Sequence, residues 1–263
     1  MNEAVQSRDR RVALVLAGSR GMGRGAALAL ARDGDRVAIT GRDEASLSAT
    51  CEELVALGAE PISVVSDVAD PQALAAVFER IDEVYGRLDV LVANAGSPPR
   101  GPFPTITDAD WEHAYDLTLM SVVRAIGHAA ERMERGGRIV IVGSSSVKRP
   151  IPNLTVSNVM RPALNGLVKA LAVELAPQGI TVNIASPGRI DTGHARNSDE
   201  RRAAKRGVDY EVVRAEYEAT IPMGRYGSGE EFGHTVAHLC SAQAGYVTGQ
   251  SILVDGGLVS TLP

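Results

Sequence analysis

The sequence predicts one α/β domain in which a doubly wound parallel sheet of about seven strands is covered by helices on both faces. Short aliphatic runs rich in Val and Ile alternate with longer stretches whose apolar residues recur at helical spacing. Such alternation forms right-handed βαβ units and hence a parallel sheet. The chain has 263 residues, of which 44% are hydrophobic, and no linker or repeat interrupts it. Residues 1–263 therefore form a single domain in this prediction.

The predicted strands lie where aliphatic runs occur, since a strand covered on both faces is hydrophobic along its length. Between these runs, residues such as Leu47, Leu54 and Leu57 recur at helical spacing. Gly, Asp and Pro mark the turns that separate the two patterns. In chain order, the predicted strands are 12–16, 36–40, 62–65, 88–93, 138–142, 181–185 and 251–254.

The stretch from about 192 to 221 interrupts the alternation because it contains no predicted strand. Residues 197–206 are densely charged, and a helical pattern resumes at 209–217. Ligands of open α/β sheets bind beside the carboxyl ends of strands, and this insertion follows such an end. We therefore expect a lid-like segment over a substrate. A solvated helical excursion with no such role is the alternative.

Charge and composition disfavour several classes of protein. The formal net charge of −5 provides no basic surface for nucleic acid or anionic membrane, and no apolar run approaches the roughly 18 residues of a membrane span. The first ten residues lack the apolar segment of a signal peptide. Cys51 and Cys240 are too widely spaced for a disulfide framework or a cysteine-rich zinc site. We expect a cytoplasmic protein with free thiols, no metal and a small-molecule substrate.

A glycine-rich turn follows the first predicted strand. Residues 17–25 read AGSRGMGRG and lead into an alanine-rich helix. Glycines let the backbone approach a pyrophosphate, whose charge is met by N–H groups and by the positive end of the helix dipole. The strand before the turn and the helix after it make the pattern indicative of a dinucleotide. The predicted cofactor-binding residues here are Gly18, Ser19, Arg20, Gly21, Met22 and Gly23.

The end of the second strand predicts which dinucleotide is bound. NAD-binding domains carry a carboxylate here for the ribose 2′-hydroxyl, whereas this chain has Arg42. Asp43 is better placed as the N-cap of the next helix. Arg42 and Arg20 together suit a 2′-phosphate. The sequence thus favours NADP(H) over NAD(H), and two solvated surface arginines are the alternative.

Over residues 11–257 the sequence resembles the short-chain dehydrogenase/reductase family, particularly its 3-oxoacyl-[acyl-carrier-protein] reductases. The motifs that carry the resemblance are the turn at 18–23, Asp67-Val68, Asn94-Ala95-Gly96, Ser144-Ser145-Ser146, LAVELAPQGITV at 171–182, PGRIDT at 187–192, YVTG at 246–249 and VDGG at 254–257. The resemblance implies a Rossmann-type fold. It also implies a homotetramer or homodimer packed through two long helices, near 107–135 and 155–176, and through the C-terminal segment.

The resemblance further implies cofactor contacts at matching positions. Asp67 and Val68 would contact the adenine, and the motif Asn94-Ala95-Gly96 would line the central path of the cofactor. The positions matching the family's nicotinamide segment are Pro187, Gly188, Ile190 and Thr192. One departure is Ala17, which stands where the family has the first glycine of the turn; Gly18 partly compensates.

The catalytic positions depart further from the family. Its Tyr-x-x-x-Lys falls on Ser157 and Arg161, and its helical Asn falls on Thr118. A serine hydroxyl is a far weaker acid than tyrosine, and Arg161 stays protonated and cannot relay a proton. Arg161 could still bind the nicotinamide ribose. A bystander Ser157 with a structural, ion-paired Arg161 is the alternative.

Only the family's serine is retained, as Ser144 or Ser145 with Ser146 close behind. Three further side chains lie near the expected site. His194 either borders the nicotinamide or is a surface or capping residue, and Arg100 either meets an anionic substrate or is solvated. His113, on the helix that begins near 107, is expected to pack or to contact another subunit.

Together these features indicate an NADP(H)-dependent oxidoreductase with atypical catalytic residues. Its substrate would be a carbonyl compound, 3-oxoacyl-like or polyketide-like, or a related C=N or C=C compound. The proton would come from water, from the substrate or from the lid. The alternative is a non-redox cofactor-binding enzyme, or a catalytically degenerate subunit or scaffold of the same fold.

Overall fold

Seven parallel strands form the central sheet of the computed structural model, which describes residues 10–261. Their order across the sheet is β3-β2-β1-β4-β5-β6-β9, and β7 and β8 form a separate two-stranded ribbon. The predicted fold class, a single doubly wound domain of the Rossmann type, is confirmed. In chain order the strands are β1 (Val12–Val15), β2 (Arg36–Gly41), β3 (Ile62–Val65), β4 (Val90–Ala93), β5 (Arg138–Val142), β6 (Thr181–Pro187), β7 (Ile190–Asp191), β8 (Gly227–Ser228) and β9 (Ser251–Val254).

Helices cover both faces of the sheet. In chain order they are α1 (Gly21–Arg32), α2 (Glu44–Ala56), α3 (Pro71–Tyr85), α4 (Asp108–Tyr115), α5 (Ser121–Ala130), α6 (Thr155–Leu175), α7 (Gly193–Arg206), α8 (Tyr210–Glu218) and α9 (Gly229–Cys240). A π-helical segment, Asp116–Met120, joins α4 to α5. The apolar side chains of α1, α2 and α9 pack on one face, and those of α3, α5 and α6 pack on the other. The inner strands β1, β4, β5 and β6 are therefore buried on both sides, as their unbroken hydrophobic runs predict, whereas the edge strands β3 and β9 are partly exposed.

Four strand boundaries differ from the prediction, one of them the end of β2, which lies at Gly41 rather than at residue 40. β4 begins at Val90 rather than at residue 88, since the carboxylate of Asp89 accepts a hydrogen bond from the Val12 backbone N–H at 2.8 Å. β1 ends at Val15 because the chain turns at Ala17. β6 continues to Pro187, which pairs with Val254 of β9. Because of this extension, the PGRIDT segment begins at the carboxyl ends of the strands, where the candidate site lies.

Helices α1 and α9 touch through their backbones. A Cβ added to Gly25 would lie 1.9 Å from the Gly229 carbonyl oxygen, and one added to Gly233 would lie 2.2 Å from the Gly25 carbonyl oxygen. Only glycine permits this approach, because any larger residue would overlap the opposing main chain. The last helix of the domain thus fixes the position of the helix that follows the glycine-rich turn.

None of the helices within residues 10–261 combines the length and hydrophobicity that crossing a membrane requires. Cys51 and Cys240 are both free thiols, on α2 and α9 respectively, as the sequence predicts. The signal-peptide expectation falls largely on residues 1–9, which lie outside the described residues.

Candidate active site

A cavity of about 770 Å³ opens at the carboxyl ends of β1, β2 and β4. The chain leaves β1 toward β2 on one side and returns at β4 on the other, so this is the crevice where open α/β sheets bind ligands. Eleven predicted cofactor-binding residues line the cavity: Ser19, Arg20, Gly21, Met22, Arg42, Asp67, Val68, Asn94, Ala95, Gly96 and Thr192. Two other predicted residues, Gly18 and Gly23, lie next to the cavity and permit the tight turn there. A Cβ added to Gly18 would overlap the Val15 carbonyl oxygen, and one added to Gly23 would overlap the Ala17 carbonyl oxygen.

The glycine-rich turn presents unsatisfied N–H groups to this cavity. α1 begins at Gly21, no side chain caps its first N–H groups, and its first turn contains no acidic residue. Asn94 closes the turn by donating from Nδ2 to the Ala17 carbonyl oxygen at 3.2 Å. A Cβ on Gly23 would lie 2.3 Å from that same oxygen. The cavity volume, the open helix end and the missing Cβ atoms fit a dinucleotide pyrophosphate.

Ala17 adopts a left-handed backbone conformation, with φ of +47°. Glycine occupies this turn position in the family that the sequence resembles, and the observed φ explains why, because an L-residue there costs about 1–2 kcal/mol. Ala17→Gly is expected to raise the unfolding free energy by about 0.5–1 kcal/mol, after the greater entropy of a glycine in the unfolded chain is subtracted. Chemical denaturation measures this change.

Ala29→Gly in the regular helix α1 is the matched control, and it should lower the unfolding free energy by about 1 kcal/mol or more. If both substitutions destabilise the protein equally, the conformation of Ala17 is not strained.

The two arginines predicted to hold a 2′-phosphate lie at the cavity edge near Asp43. Arg20 donates to the Asp43 carboxylate at 2.6 Å and to the Ser46 hydroxyl at 2.6 Å. Arg42 is less restrained, since its Nη1 lies 3.7 Å from the Asp67 carboxylate. Asp43 is the N-cap of α2, as predicted, and accepts from the Ser46 N–H at 3.0 Å. Arg42 is therefore the more available of the two for an anion.

The three consecutive serines form a short turn at the carboxyl end of β5. Ser144 lies just before a 3₁₀ turn, and its hydroxyl oxygen accepts from the Ser146 N–H at 3.1 Å and from the Ser146 hydroxyl at 3.0 Å. Ser145 and Ser146 are buried, whereas Ser144 is half-buried. Ser144 is thus the most accessible of the three hydroxyls. None of the three forms part of the cavity wall.

Arg161 is a buried guanidinium, 8% exposed, on the inner face of α6. Its Nη1 donates to the Val142 carbonyl at the end of β5 at 2.6 Å, while its Nε has no hydrogen-bond partner. No carboxylate among residues 10–261 lies within ion-pair distance of it, so burial lowers the pKa of Arg161 to about 10. The ion-paired alternative is therefore wrong within the described chain.

Ser157 lies one helical turn before Arg161 on the same face of α6 and is also buried. Thr118 lies within the π-helical segment between α4 and α5, and its hydroxyl donates to the Ala114 carbonyl at 2.6 Å. The Thr118 hydroxyl hydrogen is therefore already donated within its own helix. The structure thus places Ser157 and Arg161 side by side but gives the Thr118 hydroxyl a partner within its helix.

Pro187, Gly188 and Ile190 lie behind the cavity rather than in its wall. Gly188 donates its N–H to the Val254 carbonyl, and a Cβ there would overlap Asp255 at 2.5 Å. The Ile190 side chain is 5% exposed and packs in the core. Any contact of these three residues with a ligand would therefore be through the backbone.

The 192–221 segment is a helical hairpin, α7 and α8, attached to the domain by polar contacts. Thr192 caps α7 by accepting from the Ala195 N–H at 3.2 Å. Asp199, 1% exposed, accepts from Arg189 at 2.9 Å and from the Tyr226 hydroxyl at 2.8 Å. The charged 197–206 stretch is thus helical, and the buried Asp199 anchors it to the segment after β6.

The sequence did not predict several residues of the cavity wall. His113 lines it, although packing or a subunit contact was expected. Ser66 directly follows β3 and Gly41 is the last residue of β2, so the strand-end rule could have identified them. His194, for which a place at the site was one of two expected roles, lines the wall and meets Ser97 because α7 folds back over the loop after β4. No local pattern signals that contact or the place of Asn197 in the wall. The remaining unpredicted wall residues are Ala17, Arg24, Asp43, Leu117 and Gly193.

Comparisons with known proteins agree with this geometry. A family model described as enoyl-(acyl carrier protein) reductase matches residues 16–259. The 1-cyclohexenylcarbonyl-CoA reductase of Streptomyces collinus is 34% identical over 265 residues, which cover 98% of this chain and 90% of that protein. The 3-oxoacyl-[acyl-carrier-protein] reductase of Escherichia coli (strain K12) is 34% identical over 253 residues, covering 94% and 97%.

Solved structures extend the likeness to the whole fold. A crystal structure of an actinorhodin polyketide ketoreductase variant with NADPH matches with a TM-score of 0.90 and 33% identity, covering 95% of this chain and 98% of that one. The relatives are reductases by name, and the ketoreductase binds NADPH. From the fold, the glycine-rich turn and these matches, the chain belongs to the short-chain dehydrogenase/reductase family.

Proposed function

We propose that this protein is an NADPH-dependent reductase of carbonyl-containing substrates that transfers hydride to a C=C bond conjugated to the carbonyl. The observation that carries the proposal is that Ser157 and Arg161 are buried one helical turn apart on α6, at the positions where the resemblance implies the family's tyrosine and lysine. The names of the matched family and of the Streptomyces relative, an enoyl and a cyclohexenylcarbonyl reductase, support it.

The residues that would hold the cofactor are those of the cavity wall. The open N-terminus of α1 suits the pyrophosphate, Arg42 suits the 2′-phosphate, and Asp67 lies where the adenine would bind. Bound there, the reduced nicotinamide supplies a hydride. The buried guanidinium of Arg161 would hold ribose hydroxyls and supply positive charge near the reacting atoms.

Ser157 and Arg161 suit an enolate better than an alkoxide. Hydride addition to a ketone carbon produces an alkoxide that needs a proton at once, and neither residue is a competent acid. Addition to the β-carbon moves the C=C electron pair into an enolate, whose charge spreads over oxygen and the α-carbon. Hydrogen bonds from Ser144 and the charge of Arg161 would stabilise it until water protonates the α-carbon. The product is a saturated carbonyl compound and NADP⁺.

One substrate that carries both bonds tests this proposal, for example 4-phenyl-3-buten-2-one. With NADPH deuterated on the transferred position, we expect the saturated ketone with deuterium at the β-carbon and a solvent proton at the α-carbon. The double variant Ser157→Tyr with Arg161→Lys should shift the product toward the allylic alcohol, because a tyrosine beside a lysine can protonate an alkoxide.

Ketone reduction is the second candidate, favoured by the 3-oxoacyl reductase relative. Allylic alcohol from the unaltered protein would establish it and overturn the C=C proposal. If NADPH binds but neither product forms, and activity appears only in the double variant, the protein is a degenerate subunit or scaffold.

Arg42 is proposed to set a preference for NADP(H) over NAD(H). Arg42→Ala should weaken NADPH binding about tenfold while leaving NADH binding unchanged, since only NADPH carries the 2′-phosphate that a guanidinium recognises. Paired titrations followed by nicotinamide fluorescence measure both constants. Arg80→Ala on α3, remote from the cavity and paired with Glu83, is the control. Equal losses for the two cofactors would contradict the assignment.

The lid-like role of 192–221, assembly as a homotetramer or homodimer, and a cytoplasmic location are further proposals. On α6, Val159 and Val173 are exposed by 54% and 76%, and these are apolar side chains that assembly through this helix would bury. Analytical ultracentrifugation of the Val173→Glu variant tests that interface, because a buried charge there should dissociate the oligomer.

A further inference from the structure

Basic side chains converge where the loop after β4 meets α7. Arg100 donates from Nη2 to His194 Nε2 at 2.8 Å and from Nη1 to the Ser198 hydroxyl at 3.0 Å. His194, Ser198 and Arg201 follow one another at helical positions i, i+4 and i+7, so they share one face of α7. We refer to Arg100, His194, Ser198 and Arg201 as the Arg100 cluster.

The Arg100 cluster has no internal counter-charge. Within residues 10–261, no carboxylate lies within 4 Å of the guanidinium of Arg100 or of Arg201. The buried acid on the same helix, Asp199, already binds Arg189 and the Tyr226 hydroxyl. The acceptors that Arg100 does have, an imidazole nitrogen and a serine hydroxyl, are neutral, so they do not balance its charge.

Burial and neighbouring positive charges both disfavour the charged forms of His194 and Arg100. Burial, then the charges of Arg100 and Arg201, lower the pKa of His194. Burial, then the charges of Arg189 and Arg201, lower the pKa of Arg100. Like charges on neighbouring groups destabilise one another, and an anion bound next to them would offset that effect.

The cluster lies at the mouth of the cavity, away from the edge that holds Arg42. His194 and Ser97 line the cavity wall, and Ser97 Oγ lies 3.3 Å from His194 Nε2. Arg42 follows β2, whereas Ser97 follows β4, and β1 separates those two strands in the sheet. A ligand that reaches the Arg100 cluster therefore lies beyond the proposed 2′-phosphate contact.

We infer that the substrate, or the carrier that delivers it, bears an anionic group that binds between Arg100 and Arg201 at this mouth. The inference rests on the proposed function, since it assigns the substrate class of the same cavity. A guanidinium recognises carboxylate and phosphate oxygens alike through paired N–H donors. The carboxylate would belong to the substrate itself, and the phosphate to a pantetheine-type carrier.

Calorimetric titration of the protein saturated with NADP⁺ tests the inference without turnover. The probes are 1-cyclohexenecarboxylate, its uncharged methyl ester and coenzyme A. Arg100→Gln is compared with Arg196→Gln, whose arginine lies on the opposite face of α7 and pairs with Glu200 at 3.0 Å. We expect Arg100→Gln to weaken binding of an anionic probe about tenfold or more and Arg196→Gln to leave it unchanged.

Each outcome decides the point. Arg100-dependent binding of the carboxylate alone assigns the anion to the substrate, and Arg100-dependent binding of coenzyme A alone assigns it to the carrier. Both results support the subsite. It is overturned if no anionic probe binds, if acid and ester bind alike, or if Arg100→Gln binds the anions as well as Arg196→Gln does. Because no hydride is transferred in this titration, failure of the proposed reduction would not affect its result.

Discussion

Arg161→Met is expected to abolish reduction while raising the stability of the protein. Burial lowers the pKa of Arg161 from its ordinary value to about 10, and a shift of that size corresponds to about 3 kcal/mol of unfavourable burial of its charge. Methionine removes that cost and loses the hydrogen bond to Val142, worth about 1 kcal/mol. The unfolding free energy should rise by about 1–2 kcal/mol. Because the proposed function places the Arg161 cation beside the reacting atoms, its removal should lower kcat by about 100-fold or more.

Denaturant titration and NADPH oxidation measure the two effects separately. Arg138→Met is the matched control, because Arg138 is also a buried arginine on β5 but lies at the opposite end of that strand from the site. Its guanidinium donates to the carbonyls of Gly136 and Gly137 at 2.8 and 3.0 Å. Arg138→Met should destabilise the protein and leave kcat unchanged. If Arg161→Met loses stability and keeps its activity, Arg161 is a structural residue.

Gly25→Ala is expected to destabilise the domain by several kcal/mol and to weaken cofactor binding with it. The added Cβ would lie 1.9 Å from the Gly229 carbonyl oxygen, so α1 and α9 would have to separate. Overpacking of this kind costs about 1–3 kcal/mol or more, and main chain cannot rotate away as a side chain does. Because the glycine-rich turn ends in α1, NADPH affinity should fall together with the melting temperature.

Gly127→Ala on α5 is the control, since no atom lies within 4 Å of a Cβ at that position. It should stabilise the protein by up to about 1 kcal/mol, the usual gain for a helical glycine replaced by alanine. A Gly25→Ala protein that melts at the same temperature as Gly127→Ala would show that α1 and α9 are not in backbone contact.

Half of the residues that line the candidate cofactor cavity could be predicted from the sequence, chiefly because they lie at or just after the ends of strands. Asp67, Asn94 and Arg42 each follow the carboxyl end of a strand, and parallel strands bring those ends to one edge. The local sequence determines where each strand ends, and the order of the strands in the sheet then determines which of these residues become neighbours. Asp43 caps α2, as the preference of Asp for the N-cap position predicts.

Contacts between distant segments could not be predicted in this way. The hydrogen bond between Arg100 and His194 joins residues 94 positions apart, and it depends on how α7 packs over a loop. The pairing of Arg20 with Asp43, which leaves Arg42 as the more available arginine, depends on side-chain rotamers of two exposed residues. Neither periodicity nor motif spacing carries that information.

The contact of α1 with α9 has a consequence for how the protein is made. Nearly all the residues of the cofactor cavity are synthesised in the first half of the chain, yet α1 is positioned by Gly229 and Gly233, more than 200 residues later. A nascent chain still lacking α9 has no partner for the glycine face of α1. We therefore expect a nascent chain that ends before Gly229 to bind a dinucleotide more weakly than the full chain does.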